Sequence, residues 1–207
     1  MKLGFIGAGN MAQAMIGGIL AKGIVKKDEI IASAATQKTI DKVSEEFGVN
    51  VTLDNTEVAK ADIVFLAVKP VYYQEVIDEI KSVVNENQII ISVAAGKSVE
   101  WVENAFGGEK KIVRIMPNTP ALVGEAVTAI CPNKNVSDEE KKVVSELLSS
   151  FGIAQFINEN IMDAVIAVSG SSPAYVFMFI EAMADAAVAQ GMPRKQAYQF
   201  AAQAVLG

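Results

Sequence analysis

A chain of 207 residues with 18 Lys and Arg against 24 Asp and Glu has a net charge of −6 and a pI near 4.8, so it offers no broad basic surface for nucleic acid or an anionic membrane. Hydrophobic residues make up 51% and charged ones 20%, which excludes a disordered chain and leaves apolar surface for both a core and a partner subunit. With no His and the single Cys131, histidine-based hydrolases, CxxC metal sites and intrachain disulfides are excluded, and a reducing, cytoplasmic setting is expected.

A short apolar run from Lys2 to Ile6 enters Gly7-Ala8-Gly9-Asn10-Met11-Ala12 and leaves as an Ala-rich helix ending near Gly23. The pattern is a dinucleotide fingerprint: Gly7 permits the tight strand-to-helix turn, Gly9 lets backbone approach a pyrophosphate, and small Ala12 lets the helix pack closely on a sheet. Unpaired N–H groups at the helix start suit an anion without help from basic side chains. A secretory signal would explain the first residues, but not the glycines.

The second strand, Glu29 to Ser33, ends where cofactor preference is decided. NAD-selective sites place Asp or Glu about 20 residues beyond the fingerprint to accept from the ribose 2′-hydroxyl. Here the stretch is Ser33-Ala34-Ala35-Thr36-Gln37-Lys38, whose hydroxyls and lysine can donate to a 2′-phosphate. NADP(H) is therefore preferred and NAD(H) allowed, with Ser33 and Thr36 as ligands, although a polar loop with a helix cap reads the same way.

Strands are expected over Val49–Thr52, Ala61–Val68, Gln88–Gly96, Lys111–Met116 and Gly124–Pro132, with helices at Asp54–Lys60, Tyr72–Val84, a short one capped by Ser98, and one opened by the capping box Ser137–Glu140. Pro70 biases Lys69 to an extended backbone at the carboxyl end of a strand, so Lys69 and Pro70 are candidates for the crevice lining. Pro117 and Pro120 fix the backbone around Asn118 and Thr119, which become donors and acceptors at a neighbouring strand end. Near residue 160 the alternation stops, dividing the chain into domains of 1–159 and 160–207, the second all helical. In that part Tyr175 to Ile180 is apolar on every face and must be buried in a core or against another subunit; Glu181 and Asp185 interrupt it short of the length of a membrane span. Those two carboxylates lack further ligands, so no metal is expected.

Four pieces, Gly7–Ala12, Ala67-Val68-Lys69-Pro70, Arg114 to Pro120 and Ser169-Gly170-Ser171-Ser172-Pro173-Ala174-Tyr175, in this order, resemble the pyrroline-5-carboxylate reductases. The resemblance implies an α/β fold: an N-terminal Rossmann-type dinucleotide-binding domain followed by an all-helical dimerisation domain. It also implies formation of L-proline with NAD(P)H, the last step of proline biosynthesis, by a homodimer or higher assembly. Carried over by motif, cofactor contacts fall on Gly7, Ala8, Gly9, Asn10, Met11, Ala12, Ser33, Asn55, Ala67, Val68, Lys69, Ala94 and Ala95. Asn118, Thr119, Ser169, Ser171 and Ser172 are expected at the substrate, with Ser172 as helix N-cap, Pro173 in the first turn, and the unpaired N–H groups there facing the substrate carboxylate. Two departures stand out: Ser172 replaces the family's usual Gly, and a Gly/Thr-rich segment beyond Gly207 is expected in members of the family.

A cyclic imine accepts hydride at its protonated C=N carbon without a protein acid, which suits a chain that lacks histidine, and no catalytic side chain is assigned. A hydroxyacid dehydrogenase on a similar fold would need a base, and no Lys lies between Lys142 and Lys195. A noncatalytic NADP-binding module is the remaining alternative.

Overall fold

Apolar residues on alternating sides of short strands produce a sheet covered on both faces, as parallel sheets require. Strands β1 (Leu3–Ile6), β2 (Ile30–Ser33), β3 (Asn50–Thr52), β4 (Ile63–Leu66), β5 (Ile89–Ser92), β6 (Lys111–Met116), β7 (Ala126–Pro132) and β8 (Gly152–Phe156) lie in the order β3-β2-β1-β4-β5-β6-β7-β8. All neighbours pair in parallel except β6 and β7. The computed structural model describes residues 1–207, which divide into two units, Met1–Asp163 and Ala164–Gly207.

In the first unit, α1 (Asn10–Ala21), α2 (Gln37–Phe47) and α6 (Asp138–Leu148) cover one face, packing Met15, Ile16, Ile19, Val43, Val144 and Leu147 against Leu3, Phe5, Phe65 and Ile91. The Phe5 and Phe65 rings stack there with centroids 4.4 Å apart. Helices α3 (Asn55–Val58), α4 (Tyr73–Ile80) and α5 (Val99–Phe106) cover the other face with Val58, Tyr73, Ile77, Ile80 and Val102 against Ile6, Val64, Leu66 and Ile90. Side-chain caps start these helices where the sequence offers them: Thr36 accepts from Thr39 N–H, Ser98 from Trp101 N–H, and Ser137 with Glu140 forms the expected box.

The strands are shorter than their apolar runs. Gln88, expected inside β5, is buried ahead of it and donates to the Ala59 carbonyl at 2.7 Å while accepting from Asn85 N–H. Gly124 and Glu125 belong to the turn before β7 rather than to the strand. Strand β8 has no counterpart among the expected elements, because its opening glycine reads as a helix stop. A Cβ on Gly152 would lie 2.0 Å from the Ala126 carbonyl oxygen, and its φ of +147° is one that L side chains rarely adopt, so the glycine is what lets β8 join β7.

The second unit follows α7 (Met162–Val165), in which the chain passes from one unit to the other, and contains α8 (Ser172–Ala189) and α9 (Arg194–Leu206). Between α7 and α8 lies a π turn, Ile166–Gly170. Helices α8 and α9 meet through Ala184, Ala197 and Ala201, small residues that let the backbones approach, and Arg194 pairs with Asp185. Tyr175, Phe177, Met178 and Phe179 remain 60–68% exposed. Helical structure runs continuously over Glu159–Ala189, and by length and composition this stretch is long and apolar enough to cross a membrane. The apolar helical stretch is therefore longer than expected from Tyr175 onward, because helical structure begins sixteen residues earlier, at Glu159.

Candidate functional site

The register sets strand ends side by side: Thr52, Ser33, Ile6, Leu66 and Ser92 form a row across β3, β2, β1, β4 and β5. The strand order reverses between β1 and β4, and a doubly wound sheet opens its ligand crevice at that point, beyond the carboxyl ends. Gly7, Ala67 and Val68 stand at this mouth. Gly7 N–H donates to the Ser33 carbonyl at 3.1 Å and Ala67 N–H to the Ile6 carbonyl at 2.8 Å, so ladder bonds carry the turn into the crevice.

Gly7 has φ +95°, and a Cβ there would lie 2.8 Å from the Val68 backbone N. Gly9 differs, because an added Cβ meets nothing within 4 Å. The turn thus requires one glycine for its own geometry and leaves open space over the other, where a pyrophosphate would approach the first turn of α1. Ala8 and Ala12 are buried, whereas Gly9 and Asn10 are exposed. Met11 packs against the core, and Gln13 donates to the Ala8 carbonyl at 2.7 Å, holding the turn from beneath. The residues present fit a dinucleotide at this turn.

Ser33 is placed differently from the expectation that its hydroxyl faces a 2′-phosphate. Its side chain is fully buried, and its hydroxyl donates to Asn55 Oδ1 at 2.6 Å because α3 packs over the end of β2. Asn55 Nδ2 in turn donates to Glu79 Oε2 at 2.7 Å. Thr36 and Lys38 are exposed at the start of α2, the Thr36 hydroxyl capping that helix and lying 3.0 Å from the Thr39 hydroxyl.

On the other side of the crevice Lys69 has an extended backbone and is exposed, with Pro70 opening a single turn before α4. Ala94 is buried and Ala95 exposed just past β5. Tyr73 ties these two strand ends together: its hydroxyl donates to the Leu66 carbonyl and accepts from Val93 N–H at 3.1 Å. Burial pushes its phenol up to about 12. Lys97 lies over the Trp101 ring, 3.7 Å from its centroid.

Asn118 is buried and accepts from Val127 N–H at 3.0 Å, so its carbonyl serves the β6–β7 turn, while Thr119 is exposed. The buried Arg114 pairs with Glu159 at 2.7 Å, and the same Glu159 oxygen accepts from Val99 N–H at 2.9 Å. Burial first, then the Glu159 carboxylate, pushes the Cys131 thiol up to about 11.

In the second unit the serine stretch corrects its sequence reading. Ser172 is the first residue of α8, not its cap, and the residue at the cap, Ser171, has a helical backbone and makes no side-chain cap bond. Ser171 N–H bonds the Ile166 carbonyl at 3.1 Å, Ser169 Oγ donates to the Val165 carbonyl at 2.9 Å, and Ser171 Oγ donates to Ile166. The π turn Ile166–Gly170 thus leads through Ser171 directly into α8, which begins at Ser172 without the extended side-chain cap that the Ser-Pro pair suggested.

Tyr73, Gln13, Glu79 and the Arg114–Glu159 pair escaped the sequence reading. Only Gln13, one turn after the glycines, carried a local signal.

A doubly wound sheet with a glycine turn at its switch point defines a dinucleotide-binding domain of the Rossmann class. Residues 2–96 match the family model described as NADP oxidoreductase coenzyme F420-dependent, and residues 159–207 match that of pyrroline-5-carboxylate reductase dimerisation. The chain is 47% identical over its whole length to the pyrroline-5-carboxylate reductase of Escherichia coli (strain K12), covering 77% of that protein. Among solved structures, the pyrroline-5-carboxylate reductase of Coxiella burnetii is 33% identical with a TM-score of 0.92, over 100% of this chain and 77% of that one. The Plasmodium falciparum pyrroline carboxylate reductase, solved with NADP bound, is 37% identical with a TM-score of 0.91, over 100% and 76%. The chain belongs to the pyrroline-5-carboxylate reductase family.

Proposed function

We propose that the protein reduces 1-pyrroline-5-carboxylate to L-proline with NAD(P)H, NADPH being preferred, as a cytoplasmic homodimer completing proline biosynthesis. The observation that carries this reading is the crevice at the β1–β4 switch point, with open space over Gly9, in a chain 47% identical to a named reductase. The Gly7–Ala12 turn would hold the pyrophosphate through backbone N–H groups, Asn55 and Thr36 the adenosine ribose, and Ala67, Val68, Lys69, Pro70, Ala94 and Ala95 the crevice walls. The dinucleotide supplies the hydride when bound.

Residues of this chain have a positioning task. Transfer to the C=N carbon removes a positive charge, so the site needs no side chain to deliver a proton, and holding two rings in contact can supply about 7–11 kcal/mol. Tyr73 contributes by fixing the ends of β4 and β5 along the crevice. Asn118 and Thr119 in the first unit, and separately Ser169, Ser171 and Ser172 in the second, are the candidates for substrate contacts.

The dimer rests on the dimerisation match over residues 159–207 and on the exposed apolar face of α8, which a second copy would cover in place of lipid. The acidic charge and single cysteine support a soluble protein in a reducing compartment.

Oxidation of NADPH by the purified protein, followed with pyrroline-5-carboxylate and in parallel with hydroxyacids plus NADP, tests the activity. Turnover with the imine alone is expected. Binding of NADPH without turnover of any substrate would instead favour a noncatalytic module.

A further inference from the structure

We infer that Glu79 is a positioning residue for the adenosine end of the cofactor, setting the direction of the Asn55–Ser33 relay and lowering the preference for a 2′-phosphorylated dinucleotide. The inference rests on the dinucleotide reading proposed above.

The end of β2 carries no acidic side chain, and the stretch from Ser33 to Lys38 gives no carboxylate for a ribose 2′-hydroxyl. The fold nevertheless brings one within two hydrogen bonds of that strand end. Glu79 on α4 accepts from Asn55 Nδ2 at 2.7 Å, and Asn55 Oδ1 accepts from Ser33 Oγ at 2.6 Å.

The order of donors in this relay is dictated from the Glu79 end. A carboxylate can only accept, so Asn55 must turn its amide nitrogen to Glu79 and its carbonyl to Ser33. Ser33 then commits its one hydroxyl proton to Asn55. Since Ser33 is fully buried, what the relay offers at the surface is the half-buried Asn55 and the exposed Glu79 carboxylate, whose oxygen lone pairs match a 2′-hydroxyl that can donate and oppose a 2′-phosphate that cannot.

Charge acts in the same sense. Glu79 is exposed and takes part in none of the chain's ion pairs, so its negative charge is not neutralised by a neighbouring cation. Thr36 and Lys38, exposed at the start of α2, can donate and favour the phosphate. The balance between the two cofactors is thus set between α2 and α4, and Glu79 is the member of that balance that favours NADH.

The test is titration of NADPH and of NADH into the 207-residue wild-type chain, Glu79→Gln and Glu79→Ala, at low and high salt, with thermal melts to confirm folding. Glu79→Gln keeps an acceptor for Asn55 and removes only the charge. It is expected to tighten NADPH about threefold to tenfold, to leave NADH within about twofold, and to lose most of that gain at high salt. Glu79→Ala also releases Asn55, so NADH is expected to weaken severalfold as well. Equal shifts for both cofactors in Glu79→Gln, or none in either, would overturn the inference while leaving the dinucleotide site intact. Failure of the wild-type chain to bind either dinucleotide would overturn the site and the inference together.

Discussion

The Tyr73 hydroxyl donates to the Leu66 carbonyl at the last residue of β4, and through the same oxygen accepts the Val93 amide just past β5. One buried side chain on α4 therefore holds two strand ends at the crevice. Tyr73→Phe leaves those backbone groups without this partner and is expected to cost about 1–3 kcal/mol in denaturant unfolding. Burial pushes the phenol from its ordinary 10.0 up to about 12, so the folded state favours the protonated form. Its contribution is complete below pH 10 and is lost as pH rises towards 12, so wild-type stability should fall in that window more steeply than that of Tyr73→Phe.

The two glycines of the first turn separate folding from binding. Gly7→Ala forces a Cβ to 2.8 Å from Val68 at a φ of +95°, and should destabilise the fold by about 2–4 kcal/mol. At Gly9 the added methyl enters open space, so stability should change by about 1 kcal/mol or less while NADPH affinity falls on the order of tenfold or more. Melting curves and fluorescence titration of both variants check this; an unchanged affinity in Gly9→Ala would remove the pyrophosphate from that turn.

Arg114 anchors the segment ahead of α7 through Glu159, which also caps α5 at Val99. Arg114→Met should cost about 1–3 kcal/mol, because it strips a charged hydrogen bond from a partly exposed carboxylate. The native Cys131 thiol, pushed up to about 11, should react with a thiol reagent at pH 8 far more slowly than in the unfolded chain. Comparable rates would mean that Cys131 is reached without unfolding.

The exposed face of α8 sets the last expectation. Sedimentation should give about twice the 22.0 kDa chain mass, and Phe177→Glu with Phe179→Glu should reduce it to the monomer by placing charge in an apolar interface. Partition of the wild type into phospholipid vesicles, with no dimer in solution, would assign this face to lipid.

What the sequence determined by itself are features encoded by near neighbours: the Gly7–Ala12 turn, the caps at Thr36, Ser98 and Ser137, the alternation of strand and helix, and the ending of β6 before Pro117. Each depends on a backbone preference or a side chain reaching three or four residues away. Tertiary structure alone decided that Ser33 spends its hydroxyl on Asn55, that Glu79 stands behind that amide, that Tyr73 bridges β4 and β5, and that β8 extends the sheet. Asn55 is 22 residues from Ser33 and 24 from Glu79, and they meet only because α3 and α4 pack on one face of the sheet. The serine stretch before Tyr175 shows the same limit from the other direction. Ser-Pro locally favours a helix start with an extended, side-chain cap; α8 does begin at Ser172, but the preceding π turn Ile166–Gly170 gives Ser171 a helical backbone bonded to Ile166, and that replaces the cap.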